Sequence, residues 1–287
     1  MSLNIATKII TQIEKIDLKD NDAYDEIYHI LNYHLDFLSV FGVYMVPHEE
    51  VFYVRARIIG KGIKCHNKVS DFSYNRKPEL ITIGRANKSE QAILYAGRNR
   101  ITALAEVNII ENKLEEEIVS YSISRWQIND QLRIAAILNP DSIDHLSAWE
   151  LPDFLNYIKS EINEIRRRKP RLLKLYKYFA SKFNERVVKG EEDKYKITSA
   201  FTNIIFSKHH DIAGLMYQSV KFPDSYNLAI RKEIVDQNKF IPIYFVKDTY
   251  KREKIDEVVE IERQISSGFD PNKDIVEWNS EPEILSP

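Results

Sequence analysis

Eight glycines in 287 residues constrain this chain more than any other feature. Average usage would supply roughly 20. Glycine is the residue that lets backbone turn left-handed or press close against a ligand. Propeller, collagen-like and Gly-rich linker architectures are therefore excluded. Neither G-x-G-x-x-G nor G-x-x-x-x-G-K-[ST] occurs, so a dinucleotide-cofactor fold and a P-loop are excluded too. Hydrophobic content of 44% with 29% charged residues fits a globular chain able to bury a substantial core. The net charge of −2 supplies no global basic field to draw in nucleic acid or an anionic membrane. A lone Cys65 forms no intramolecular disulfide and no multi-cysteine zinc site, which suits a reducing compartment. Met1 to Lys8 lacks the charged start and apolar block of a signal peptide. The longest mostly apolar stretch, Phe37 to Val46, is too short to span a bilayer. A cytoplasmic protein without a membrane partner is expected.

The periodicity predicts an α+β fold. Ile5, Ile9, Ile10, Ile13 and Ile16 mark a first helix, and a second runs from Ala23 towards Val40. Residues 1–46 thus form an N-terminal helical segment. Strand patterns follow at Phe52–Ile59, Leu80–Ile83, Ala92–Ala96, Ile118–Ser124 and Arg133–Leu138, with a helix over Ile101–Ile110. Pro152 to Val188 reads as helix, restarted at Pro170. A short helix covers Ile197–Ser207, and strands resume at Leu215–Val220, Tyr226–Ile230 and Ile241–Val246. The main unit is expected over 47–250, with a helical insertion at 145–196. Residues 251–287 form an extension, reading as an exposed tail from Ser266.

Four groups of residues offer chemistry. Arg55 and Arg57 lie two apart on a strand and share a face, where paired guanidinium forks suit phosphate; surface acids opposite would be the ordinary alternative. Gly84-Arg85-Ala86-Asn87 follows a strand, as many plain polar turns do. Leu94-Tyr95-Ala96 precedes Glu106 by a helix-length interval, and a Glu there is ordinarily a solvated helix former. Gly214-Leu215-Met216-Tyr217-Gln218-Ser219-Val220 sets a serine on an apolar strand, where its hydroxyl ordinarily bonds local backbone.

In this order, and joined by Tyr226-Asn227-Leu228-Ala229, the groups resemble the RES-domain family over about residues 51–135 and 197–231. The family is named for an arginine, a glutamate and a serine. Arg55, Glu106 and Ser219 match those positions, with Arg57 a second candidate for the arginine. The resemblance implies a fold like that of ADP-ribosyltransferase toxins and removal of nicotinamide from NAD by water or phosphate. NAD is then substrate rather than cofactor, and the missing dinucleotide fingerprint is consistent with that. It also implies a bacterial toxin neutralised by a helix-turn-helix antitoxin protein; a homo-oligomer is compatible.

On that resemblance the catalytic set is Arg55, Tyr95, Glu106 and Ser219. Glu106 would stabilise an oxocarbenium-like ribose. Arg55 and Arg85 would clamp the pyrophosphate. Tyr95 would stack on nicotinamide or ribose, and Ser219 would bond the ribose or orient Glu106. Arg57, Asn87, Tyr217 and Asn227 complete the expected NAD-binding set.

The chain departs from the family in two turns. A Gly and a Pro usually stand where Lys88-Ser89-Glu90-Gln91-Ala92 stands here. Near Ser219, Gln218 replaces a usual Pro, Lys221 an Arg, and Asp224-Ser225 paired glycines. An ADP-ribosyltransferase acting on a macromolecule and a non-catalytic RES-like binding protein are the competing readings. His209-His210 lacks the spacing of a zinc site, so no metal is expected. Arg166-Arg167-Arg168-Lys169 closes a helix and complements its dipole. Cys65 and His66, adjacent on a strand, point apart rather than forming a nucleophile pair.

Overall fold

The isoleucine stripe at the start of the chain builds the first layer of the core. The computed structural model describes residues 4–34, 42–47, 53–59, 66–107, 118–141, 152–168, 170–254 and 257–285. In α1 (Asn4–Ile13) Ile9 and Ile13 are buried, and in α2 (Ala23–His34) so are Ile27 and Leu31. Each such side chain contributes about 1.5–3 kcal/mol relative to exposure. Helices α1 and α2 pack on α5 (Pro170–Asn184) and α6 (Tyr195–Lys208), where Phe179 stacks on Phe201 at 3.8 Å between ring centroids. This helical layer shares one core with the strands beneath it.

Those strands belong to a mixed, mostly antiparallel sheet. Its first half holds β1 (Gly42–Met45), β5 (Leu132–Ile137), β6 (Ile212–Gln218), β7 (Tyr226–Arg231) and β3 (Ile93–Gly97), side by side in that order. The second half continues through β2 (Tyr53–Ile58), β4 (Ile118–Ile128), β8 (Phe240–Lys254), β9 (Glu257–Asp270) and β10 (Ile275–Trp278). A short β11 (Glu283–Ile284) also pairs with β9. Among the described strands only β5 and β6 run parallel, and between them the chain passes through α4 (Pro152–Arg168), α5 and α6. Strand β6 is buried along its whole length, as its unbroken apolar run requires of a strand covered on both faces. The two halves meet at β3 and β2, whose pairing is confined to Val54 and Gly97.

Helices and most strands lie where periodicity puts them, with four main differences. Gly42–Met45, inside the N-terminal segment expected to be helical, forms strand β1 against β5. Leu80–Ile83 is not a strand: a 3-10 turn at Pro78–Leu80 leads into an isolated bridge between Gly84 and Asn87. The carbonyls of Ile81 and Thr82 instead accept from Glu90 N and Asn87 Nδ2, so the segment spends its backbone on an arch. Strand β8 continues well past Val246. The segment from Ser266 is not a tail: β9 runs to Asp270, and β10 buries Val276 against Val69, Phe72 and Phe245. Its alternate residues face solvent, which gives an edge hairpin the composition of a loop. Expectations at 35–40, Phe52, Cys65, 108–110, 145–151 and Lys169 lie outside the described residues, as do 286–287.

Candidate active site

A single short helix carries the central carboxylate. Helix α3 (Arg100–Glu106) starts at Asn99, whose side chain accepts from Thr102 N at 2.9 Å. Its apolar face, Ala103 and Leu104, is buried on the sheet. Gly97 permits that approach, since a Cβ there would sit 2.8 Å from Ala103 N. The helix delivers Glu106, in its last turn, to two donors: Ser219, which lies in the turn just past the end of β6 rather than on the strand expected for it, and Asn227 on β7. Ser219 Oγ donates to Glu106 Oε1 at 2.7 Å, and Asn227 Nδ2 donates to the same oxygen at 2.7 Å. Among the described residues both hydrogen bonds to this carboxylate land on Oε1, leaving Oε2 for another donor.

Ser219 is itself held rigidly. It is 1% exposed, its amide donates to Ser225 O at 2.9 Å, and its hydroxyl accepts from Phe222 N at 3.0 Å. Thr102 of α3 donates to Ser225 Oγ at 2.9 Å, joining the helix to the same turn. Asn227 lies on β7 opposite both Gly97 and Tyr217, which puts all three positions on one face of the sheet.

Tyr95 extends that face. Its hydroxyl donates to Asn87 Oδ1 at 2.6 Å and accepts from Ala86 N at 2.9 Å. Asn87 Nδ2 donates to Thr82 O and Lys88 O, so the Asn87 side chain is committed to the arch. Gly84 is required there: a Cβ would meet Asn87 Oδ1 at 2.6 Å and the Tyr95 hydroxyl at 3.1 Å. Arg85 projects from this arch to the end of α5, donating to Phe183 O at 2.8 Å and Glu185 O at 2.9 Å. Its guanidinium also lies over the Tyr195 ring, 5.2 Å from the centroid. Burial pushes the Tyr95 and Tyr217 hydroxyls far above the ordinary tyrosine value, so both are neutral donors. Tyr217 lies within electrostatic range of Tyr95, Glu106, Arg85 and Tyr195, which identifies these groups as one neighbourhood.

Arg55 and Arg57 enter from the other half of the sheet. Arg55 Nη1 donates to Tyr95 O at 3.2 Å across the narrow β2–β3 junction, and Arg57 Nη1 donates to Asp71 O at 2.6 Å. Among the described residues neither has a carboxylate partner, and the buried Nε of Arg55 has no hydrogen-bond partner at all. Burial, reinforced by the Arg57 charge, lowers the Arg55 guanidinium to about 9, still a cation at neutral pH. A desolvated cation with an unused donor is an anion acceptor in waiting.

Residues 56–239, close to two thirds of the chain, match the RES domain. The chain belongs to the RES domain family. No curated protein matches it. The RES match runs continuously through α4 and α5, so the helical insertion expected to lie outside the likeness falls within it. It begins at Ala56, which leaves Arg55 one residue outside and Arg57 inside. Of the residues expected for a RES site, Ser219 and Asn227 each bond directly to Glu106. Tyr95, Tyr217 and Arg85 surround them electrostatically, and Arg55 joins through the Tyr95 carbonyl. Asn87 supports Tyr95, and Arg57 bonds the Asp71 carbonyl. Tyr195 was not foreseen from the RES likeness, since an aromatic at a helix start carries no pattern of its own.

Proposed function

We propose that this RES protein is an NAD-consuming toxin that breaks the nicotinamide–ribose bond. RES domains are generally NAD-degrading toxins. The observation that carries the reading is the Glu106 carboxylate, held at Oε1 by Ser219 and Asn227 with Oε2 left over. In the proposed reaction the C–N bond breaks and its electron pair leaves with a neutral nicotinamide, so no proton need be delivered to it. The ribose becomes oxocarbenium-like, and a fixed carboxylate beside it stabilises that charge without reorganising. Water or phosphate then adds to the ribose carbon, giving ADP-ribose or its phosphate.

Arg55 is the stronger pyrophosphate clamp, because its Nε is unused and its surroundings are dry. Arg85 is anchored to two carbonyls and contributes charge more than a free fork. Tyr95, fixed at its hydroxyl, offers its ring to nicotinamide or ribose. A helix-turn-helix antitoxin would neutralise the enzyme by covering the residues around Glu106.

The test is to incubate purified protein with NAD, with and without inorganic phosphate, and to follow nicotinamide. Release is expected in at least one condition and is lost in Glu106→Gln. Intact NAD after long incubation in both would overturn the proposal. Labelled ADP-ribose on a macromolecule would instead assign a transferase.

A further inference from the structure

Helix α3 is too short to hold itself in place. It has seven residues, and isolated helices of that length are not stable in water. The position of Glu106 therefore depends on what grips the helix. Thr102 and Glu106 tie α3 to the turn after β6 and to β7.

The first residue of α3, Arg100, reaches instead into the antiparallel β8–β9 pair. Its Nη2 donates to Asp248 Oδ2 at 2.6 Å and to Tyr250 Oη at 2.6 Å, both on β8. The same nitrogen donates to Glu260 Oε2 on β9 at 2.7 Å, so three acceptors share its two protons. Asp248 is 1% exposed, and its charge is met by protein rather than by water. Arg263 of β9 closes the cluster: Nε donates to Asp248 Oδ1 at 3.2 Å and Nη2 to Glu260 Oε2 at 3.0 Å. Two carboxylates and two guanidiniums thus interlock the start of α3 with both strands of the pair.

The apolar contacts run the same way. Ala103 and Leu104 of α3 share one core cluster with Val246 and Tyr250 of β8, and Val258 of β9 packs against it. The β8–β9 pair is therefore part of the floor under α3 as well as the anchor at its start. Yet the RES match ends at Lys239, and β8 begins at Phe240. The acids that grip Arg100 lie outside the family match.

We propose that Asp248 is a positioning residue for Glu106, which makes the β8–β9 pair a working part of the active-site unit. Arg100 and Glu106 stand at opposite ends of α3, about 9 Å apart at 1.5 Å per residue. A helix this short carries a displacement of one end to the other, and Asp248 acts on Glu106 only through Arg100 and that helix. An ion cluster that merely stabilised the β8–β9 pair would leave the carboxylate where it is. The kinetic consequence rests on the NAD reading; the placement of the carboxylate does not.

The test compares Asp248→Asn with Val276→Ala in the full chain. The first keeps the shape of Asp248 and removes its charge. The second loosens a separate core cluster, on β10, that contains no residue of α3. One readout is the side-chain amide resonances of Asn227, which donates to Glu106 Oε1 at 2.7 Å. The other is the split between kcat and KM for NAD. Asp248→Asn is expected to shift the Asn227 resonances and to lower kcat about tenfold or more, with KM within about twofold of the parent. Val276→Ala is expected to lower Tm while both readouts stay as in the parent. Arg100→Lys, which keeps the charge but loses the fork, is expected to fall between. Parent-like Asn227 resonances in folded Asp248→Asn would overturn the proposal. So would an equal shift in Val276→Ala, or a rise in KM with kcat unchanged in Asp248→Asn. If Asp248→Asn fails to fold, Arg100→Lys decides by the same criteria. If the parent leaves NAD intact, the NAD reading falls alone and the Asn227 resonances decide this proposal.

Discussion

Removing the two donors to Glu106 one at a time separates orientation from mere packing. Ser219→Ala deletes the 2.7 Å bond to Oε1, and it also strips Phe222 N of its 3.0 Å acceptor. Asn227→Leu deletes the other 2.7 Å bond while keeping similar volume. A hydrogen bond to a charged group is worth about 1.5–3 kcal/mol. If each bond holds the carboxylate where the ribose charge develops, each loss slows turnover by about 10- to 150-fold at 1.36 kcal/mol per decade. Ser219→Ala carries a further stability cost of about 1–3 kcal/mol for the stranded amide, a fall of several degrees in Tm. Both donors act through one oxygen, so their effects are coupled and the double variant loses less than the product of the two singles. In a Glu106→Gln background neither change lowers the remaining rate further. Nicotinamide release at saturating NAD, corrected for folded fraction from thermal melts, measures all four corners. Strictly multiplicative losses, or parent-like rates in both well-folded singles, would refute an orienting role for the pair.

Three further outcomes follow from the geometry. Gly214→Ala puts a Cβ 2.4 Å from Ala229 O and 2.9 Å from Ile230 Cδ1 in a fully buried strand. It should cost about 1–3 kcal/mol or more in chemical denaturation, and an unchanged midpoint would show that β6 yields. His66 bonds Ser122 Oγ at 2.5 Å, and burial, offset by Asp71 but aided by Arg57, holds its pKa below 6.5. The unfolded chain then binds the proton better, so this stability is present above pH 6.5 and is lost as pH falls towards the folded value. His66→Gln should flatten that slope in denaturation series, and an identical slope would remove His66 as its source. Glu90 adopts φ 65°, the left-handed region that costs a non-glycine about 1–2 kcal/mol. Glu90→Gly should be neutral or slightly stabilising by thermal melt despite added unfolded-state entropy, whereas clear destabilisation would mean the Glu90 side chain contributes contacts that outweigh its strain.

What could be read in advance tracks how local each signal is. The isoleucine stripe of α1 and the restart at Pro170 are local patterns, and each lies where expected; the apolar run of β6 is also a strand, but over Ile212–Gln218 rather than Leu215–Val220, which leaves Ser219 in the turn. Glu106, Ser219 and Asn227 were named because their order along the chain resembles a RES domain; no periodicity could bring together residues 113 and 121 positions apart. The end of β9 from Ser266 and strand β10 read as a tail because one face of that hairpin is solvated. The Asp248–Arg100–Arg263–Glu260 cluster escaped notice for a related reason: its members come from α3, β8 and β9, and each looks alone like surface charge.

The departures from the RES pattern acquire a physical meaning once α5 is in view. Gln218, standing where a proline is usual, donates to Pro223 O at 2.8 Å and accepts from Asn184 Nδ2 at 2.8 Å. Proline fixes such a turn through its ring; here a side-chain amide fixes it through two hydrogen bonds, one of them to the last residue of α5. The neighbouring carbonyls, Phe183 and Glu185, are the ones that hold Arg85. The same helix end therefore anchors both the arch behind Tyr95 and the turn carrying Ser219. Likewise Glu90 keeps the left-handed backbone that a turn glycine would have supplied, so the arch survives without it. At Gln218 a side-chain link to the end of α5 thus stands where a proline ring is usual, and at Glu90 a left-handed non-glycine stands where a glycine is usual. The helical insertion is a wall of the candidate site rather than a decoration, and a deletion across α4 and α5 would remove the support of Arg85 and Gln218 together.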